Sequence, residues 1–306
     1  MSKSLFESKK YAVLLAIFYT FLWGLAFPLV KICMEGFGAY DNASKCLVAG
    51  IRFMLSGLGL LLLCAFREKD GIKIQRNQVK FVVAYGALGV FAQYGLTYIA
   101  LSYMDGSKGA VFDQLCVFIV IFFSGIFFKG DKLNITKFIG CIVGFLGIMV
   151  INTDSFVFSF SFEAEGAMIL AAICQAIVYF LSKASCGRIS GCKMIGWGQL
   201  LGGIMLTVFA LLFGAGIEKV TPIGVIALLA LSLISAVAYV LSLIPLKYHP
   251  ASEMSVFNLL ITVFGVVMSA LILGENIFRW NYLVSVALIC VGIIMVNRKG
   301  KSKGDI

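Results

Sequence analysis

Polar residues are the exception along this chain. Apolar runs of about the 20 residues that a helical membrane span requires recur from one end to the other, separated by short stretches that collect the charges. The pattern predicts ten helices, at 11–30, 46–66, 81–102, 108–128, 136–152, 164–184, 194–214, 223–244, 252–273 and 281–297. Barrel strands would alternate over about ten residues, and these runs do not. The first run follows Lys9-Lys10 and has no small-residue cleavage site; Pro28 and Lys31 follow instead, so it reads as a retained span.

Inside such runs a polar side chain facing lipid is costly, about 2.5–3.5 kcal/mol for a central Asp, Lys or Arg. Polar positions therefore map the interior of the bundle, and here they recur at helical spacing. The eighth run carries Ser232, Ser235, Tyr239 and Ser242 on one face, and the sixth carries Gln175, Tyr179 and Ser182. The third aligns Gln93 with Thr97, with Tyr94 and Tyr98 on the adjacent stripe. The ninth aligns Ser255, Asn258 and Thr262, and in the first Tyr19 and Trp23 stand one turn apart. Serines alone are equally explained by close helix approach, and Gly140-x-x-x-Gly144 and Gly198-x-x-x-Gly202 read as packing. The larger Tyr, Gln, Asn and Trp suit a cavity for a small zwitterion or an apolar-bodied metabolite. The candidate solute-binding set is Asp113, Gln114, Gln93, Tyr94, Tyr98, Trp23, Tyr19, Gln175, Tyr179, Tyr239, Asn258 and Thr262.

Asp113 is the carboxylate that lies clearly inside a run, ~8 Å from one helix end at 1.5 Å per residue. Three roles compete for it: binding a substrate amine, carrying a proton, or pairing with Arg52 or Lys108 as a structural element. Arg52, also inside a run, reads more as a structural anchor than as a carboxylate clamp. Glu253 and Lys108 occupy matched helix entrances and read as interfacial charge; Glu275 reads as a cap, Lys31 and Lys183 as snorkelling groups, and Tyr11 and Tyr282 as interface aromatics.

The stretch around Asp113 is repeated. Val111-Phe-Asp-Gln-Leu-Cys-Val-Phe118 is echoed by Val256-Phe-Asn-Leu-Leu-Ile-Thr-Val263. The segment 101–152 lies over 246–297 without a gap, matching Leu101 to Leu246, Tyr103 to Tyr248, Ser107 to Ser252, Ser124 to Ser269, Gly147 to Gly292 and Asn152 to Asn297. In this register Asp113 meets Asn258. The duplication predicts two halves, 1–152 and 153–306, of five spans each. An odd number of spans inverts the second half relative to the first. Inverted repeats characterise secondary transporters, which bind solute near the midplane between the halves. A non-transporting membrane scaffold or a membrane-embedded enzyme is the alternative reading.

Composition agrees. Of 306 residues 61% are hydrophobic and only 13% charged, and the mean hydropathy is +1.01. This is an all-α integral membrane protein with no sizeable soluble domain. Its net charge of +10 reflects topology and gives no argument for nucleic acid. With the N-terminus inside, nineteen Lys and Arg fall in cytoplasmic segments and five in external loops, which places both termini in the cytoplasm and the protein in the cell membrane. The nine cysteines form no CxxC pair and lie mostly within apolar runs, where they act as small hydrophobes.

The motifs resemble those of a known group. Trp23-Gly24-Leu-Ala-Phe27-Pro28, Ala49-Gly50-Ile-Arg52-Phe53, Leu273-Gly274-Glu275 and Gly292-Ile-Ile-Met-Val are similar to elements of the drug/metabolite transporter superfamily, in its ten-helix EamA-type branch. The resemblance covers nearly the whole chain as two tandem units. It implies two inverted five-helix halves around a central cavity and transport of small organic solutes, often amino acids, usually outward. Family members commonly carry a proline in the fourth and ninth helices. This chain has none near Asp113 or Asn258, so those helices are expected to be less kinked.

Nothing points to catalysis. The single histidine, His249, sits in a loop before Pro250, and no phosphate loop, metal-ligand cluster or GxSxG is present. The expected partners are a small solute and the lipid bilayer, with a proton as a possible coupling ion; no cofactor is expected. Channel-type charge rings are missing, as is an ATP-binding domain.

Overall fold

The computed structural model describes residues 7–68, 70–100, 103, 112–129, 131, 134–151, 160–274 and 280–297. These form ten helices: α1 Lys9–Phe37, α2 Asn42–Arg67, α3 Val79–Ala100, α4 Leu115–Phe127, α5 Ile135–Ile151, α6 Phe162–Ser185, α7 Gly191–Leu212, α8 Pro222–Tyr248, α9 Ala251–Leu273 and α10 Trp280–Asn297. Seven are long and apolar enough to cross a membrane, and α4, α5 and α10 are shorter apolar helices. Large apolar side chains such as Leu14, Phe18, Leu62, Phe66, Leu229 and Leu233 point outward, as a lipid-facing surface requires. The sequence-derived starts and ends lie within a few residues of these, except that α1 runs on to Phe37, seven residues past the expected end; the expected start of the fourth helix at 108 lies outside the described residues.

Local chemistry sets the ends. Asp41 caps α2 through the backbone N–H of Ser44, and Thr221 caps α8 through that of Gly224, with Pro222 supplying a pre-set first turn. α1 ends at Gly38 in the left-handed region (φ 63°).

The packing follows an inverted two-fold. α1 packs chiefly on α8 and α9, and its counterpart α6 packs on α3 and α4. α2 pairs with α7 and α5 with α10, each helix with its own counterpart. Both self-paired seams are lined with glycine because the backbones touch. A Cβ at Gly57 would stand 2.6 Å from the Gly196 carbonyl oxygen, and one at Gly292 would stand 2.6 Å from that of Gly140. On the first seam Gly50 faces Gly203 while Gly57 faces Gly196, the reciprocal contacts a two-fold demands.

One end of the bundle gathers the beginnings of α1, α3, α5, α7 and α9 and the ends of the other helices. The described ion pairs lie there. Lys9 pairs with Glu253 at 3.0 Å, Lys193 with Glu68 at 3.0 Å, and Lys137 with Asp131 at 2.9 Å. Glu253 is therefore more than interfacial charge: it joins α9 to α1, while Lys9 also donates to the Asn297 carbonyl at the end of α10. Lys183 does not snorkel freely; its ammonium donates to the carbonyls of Leu246 and His249 and closes the last turn of α8. Lys108, Glu275 and Arg279 lie outside the described residues, as does the Tyr282 side chain.

Candidate functional site

The centre of the bundle is built on aromatic rings from four helices. Trp23 of α1 stands edge-on to Tyr239 of α8, with centroids 4.7 Å apart and planes at 82°. The Tyr239 and Tyr94 hydroxyls share a hydrogen bond at 3.1 Å. Phe53 of α2 lies against Tyr94 at 4.6 Å, and Tyr85 meets Tyr239 at 6.0 Å. Edge-to-face contacts of this kind fix ring orientation and contribute about 0.5–1.5 kcal/mol each beyond area burial.

A local irregularity makes the arrangement possible. Tyr85 and Tyr94 are nine residues apart, which on a straight α-helix of about 3.6 residues per turn would put them on opposite faces. The stretch Tyr85–Ala92 is wound as a π-helix, turning less per residue, and both tyrosines reach Tyr239.

Arg52 of α2 lies beside these rings, only 5% exposed. Its Nε donates to the Ser235 hydroxyl at 2.9 Å, and that hydroxyl donates to the Leu231 carbonyl at 2.9 Å. The guanidinium carbon is 5.1 Å from the Phe53 ring centroid and 5.9 Å from that of Trp23. Trp23 thereby links Arg52 to Tyr239, and Phe53 links it to Tyr94. One turn along α2, Ser56 donates to the Gln199 carbonyl oxygen at 2.5 Å.

Other candidates make contacts along α9. Gln114 donates to the Thr262 hydroxyl at 3.2 Å, joining α4 to α9. The Tyr19 hydroxyl donates to the Met254 carbonyl at 3.4 Å, and Tyr179 packs into the same apolar cluster. Asp113 and Asn258 are both half-buried; among the described residues no cation pairs with Asp113. Gln93 is buried on α3, and Gln175 of α6 holds a buried carbonyl oxygen with no hydrogen-bond partner.

The helices around Asp113 and Asn258 are interrupted despite the lack of proline. The α-helical ladder breaks at Gln114 before α4, and α9 tightens into a 3-10 turn over Val256–Asn258. In the repeat register Gln114 corresponds to Leu259, the residue just after the 3-10 turn.

Sequence reasoning left Arg52, Phe53, Tyr85, Ser56 and Gln199 out of the site. The signal for Arg52 was available, since an ionisable residue in mid-span is a functional candidate by default.

Residues 10–153 and 164–298 each match the EamA-like transporter family. The chain belongs to that family. Relatives of this EamA-like protein include the uncharacterized transporters YvbV and YoaV of Bacillus subtilis strain 168. YvbV is 26% identical over 96% of this chain and 94% of its own, and YoaV 25% over 90% and 93%. An uncharacterized transporter of Archaeoglobus fulgidus is 24% identical over 94% of this chain and 98% of its own. One crystal structure superimposes with a TM-score of 0.77 across 94% of this chain and 99% of its own, at 17% identity, a likeness that carries the fold. This EamA-like chain is thus a multi-pass membrane transporter of two inverted five-helix repeats.

Proposed function

We propose that this protein is a secondary exporter of small organic metabolites, amino acids among them, working by alternating access. The observation that carries the reading is the Tyr94–Tyr239 contact, with Trp23 against it, at the interface of the two repeats. Two half-structures that meet through polar aromatic side chains provide a binding surface both can share as they rock against each other. A solute held there stacks on Trp23 and the tyrosines, and Gln93, Tyr98, Gln175, Tyr19 and Tyr179 supply further walls.

In this reading Asp113 binds the solute's amine or carries a coupling proton, with Gln114 and Thr262 fixing the nearby backbone. Asn258 offers an amide from the matched position without a second charge that would repel the first. The halves divide near residue 152, both termini are cytoplasmic, and the protein resides in the cell membrane.

The test is counterflow in liposomes containing only the purified protein, preloaded with unlabelled amino acids and challenged with traces of each labelled one. Accumulation above protein-free liposomes supports the reading. Failure of every amino acid to accumulate, with the protein shown to be folded, overturns the amino-acid assignment.

A further inference from the structure

Three buried polar atoms without a hydrogen-bond partner cluster around the central rings: Arg52 Nη2, Tyr85 OH and Gln199 Nε2. They stand on α2, α3 and α7, which pack against one another. Named contacts tie them into one neighbourhood. Tyr85 adjoins Tyr239, Arg52 adjoins Trp23, which stands edge-on to Tyr239, and Gln199 is held by Ser56, one turn from Arg52. All three are able to donate a hydrogen bond, so what they lack is an acceptor. Arg52 adds a full positive charge at mid-helix, ~15 Å along the 26 residues of α2.

A purely structural role explains this poorly. Among the described residues the Ser235 hydroxyl takes the Nε–H, Nη2 has no partner, and no carboxylate pairs with Arg52. A charge buried in a membrane protein is normally paired or faces a pathway. The Ser235 bond does hold the Nε edge, which pre-sets the plane of the guanidinium, and the rings of Trp23 and Phe53 bound it. A planar, pre-oriented guanidinium with free donors is suited to a carboxylate.

We propose that Arg52 is the anionic-group receptor of the central site and takes one carboxylate of the solute, with Tyr85 and Gln199 as neighbouring donors. The proposal rests on the transporter reading and narrows it. The cargo carries a carboxylate, and Asp113 remains the candidate for any cationic end.

Trp23 gives a direct readout because it stacks beside both Arg52 and Tyr239. In the full chain with Trp197→Phe and Trp280→Phe, Trp23 is the remaining tryptophan of three. Its emission is titrated with each amino acid, the matching carboxamide and inorganic phosphate, and the same panel is run in counterflow. Acids should bind at least about tenfold more tightly than their carboxamides, as expected for a charge-assisted pair. Arg52→Gln should erase that ratio, and Arg52→Lys should keep part of it. Equal binding of acids and carboxamides in the parent protein, which needs no Arg52 variant to fold, overturns the proposal. So does an acid preference that survives in folded Arg52→Gln, or phosphate that displaces the acids at equal concentration. Acid binding through Arg52 without counterflow would sink the transport reading and leave this one standing. Counterflow with no acid preference would do the reverse, and silence in both assays would end both.

Discussion

The hydroxyls of Tyr94 and Tyr239 are 3.1 Å apart, and the two residues are separated by 145 positions, the same offset that relates Asp113 to Asn258. A residue that bonds its own counterpart must lie on the two-fold that relates the halves. The pair therefore marks the axis of the molecule. Tyr94→Phe and Tyr239→Phe should each cost about 0.5–1.5 kcal/mol, the range for one neutral hydrogen bond. The double variant should cost little more than either single one. Denaturation of the four proteins in detergent completes the cycle, and additive losses would show that the bond is not shared.

Asp113→Asn should abolish transport or remove its pH dependence while the protein stays folded, because the amide fills the same volume. Asn258→Ala should raise the apparent half-saturation concentration more mildly. Wild-type transport by Asp113→Asn, with an unchanged pH profile, would make Asp113 structural.

A buried network ties the loop after α4 to the start of α9. Asp131 accepts from the Ser252 backbone N–H at 2.9 Å, from the Ser252 hydroxyl, and from Lys137 at 2.9 Å. Burial alone would raise the Asp131 carboxyl, but the Ser252 hydrogen bonds and the Lys137 ammonium outweigh it and hold the group below its ordinary value. A lowered carboxylate contributes stability that is complete above its unfolded value, near 3.9, and is lost as pH falls through the folded one. This contribution should be flat from neutral pH down to about 5 and decline only in stronger acid. Asp131→Asn, which strands the Lys137 charge, should cost about 3–5 kcal/mol at neutral pH. Thermal melts across pH would check both statements; a variant as stable as the parent would contradict them.

The α2–α7 seam should tolerate no side chain. Gly57→Leu would drive carbon into the backbone of Gly196 and Leu200 and should cost more than about 3 kcal/mol or prevent folding. Gly59, two residues away, has nothing within 4 Å of a Cβ, so Gly59→Ala should leave folding intact and add up to about 1 kcal/mol through helix propensity. Size-exclusion profiles and melts of the two variants make the comparison.

A cysteine at position 303, beyond the described residues, should react with membrane-impermeant maleimide only after cells are opened, in a background without native cysteines. Labelling on intact cells would reverse the topology drawn from the basic residues.

The helices were legible because twenty-residue apolar runs and their basic punctuation depend on the bilayer rather than on tertiary detail. The repeat was legible where α4, α5 and their counterparts kept their residues. It was not legible further back, since Tyr85 corresponds to Ala230 and Val90 to Ser235, and Tyr94 and Tyr239 remain a matched pair amid divergence. Helical-face reasoning put Tyr239 and Ser235 together correctly because α8 is regular there. It missed Tyr85 because a π-wound stretch changes which residues share a face, and apolar periodicity carries no sign of that. Arg52 was visible as a charge, but its orphaned Nη2 depends on what four other helices place beside it.

The embrace of α1 by α8 and α9 also has a consequence for how the protein is made. Gly36 meets Thr221, a residue synthesised 185 positions later. At about 5–20 residues per second, the first helix waits roughly ten to forty seconds for its principal neighbour. By the end of that interval seven helices have been made while α1 still lacks its principal neighbours, and a quality-control protease or an intramembrane chaperone would meet its substrate then.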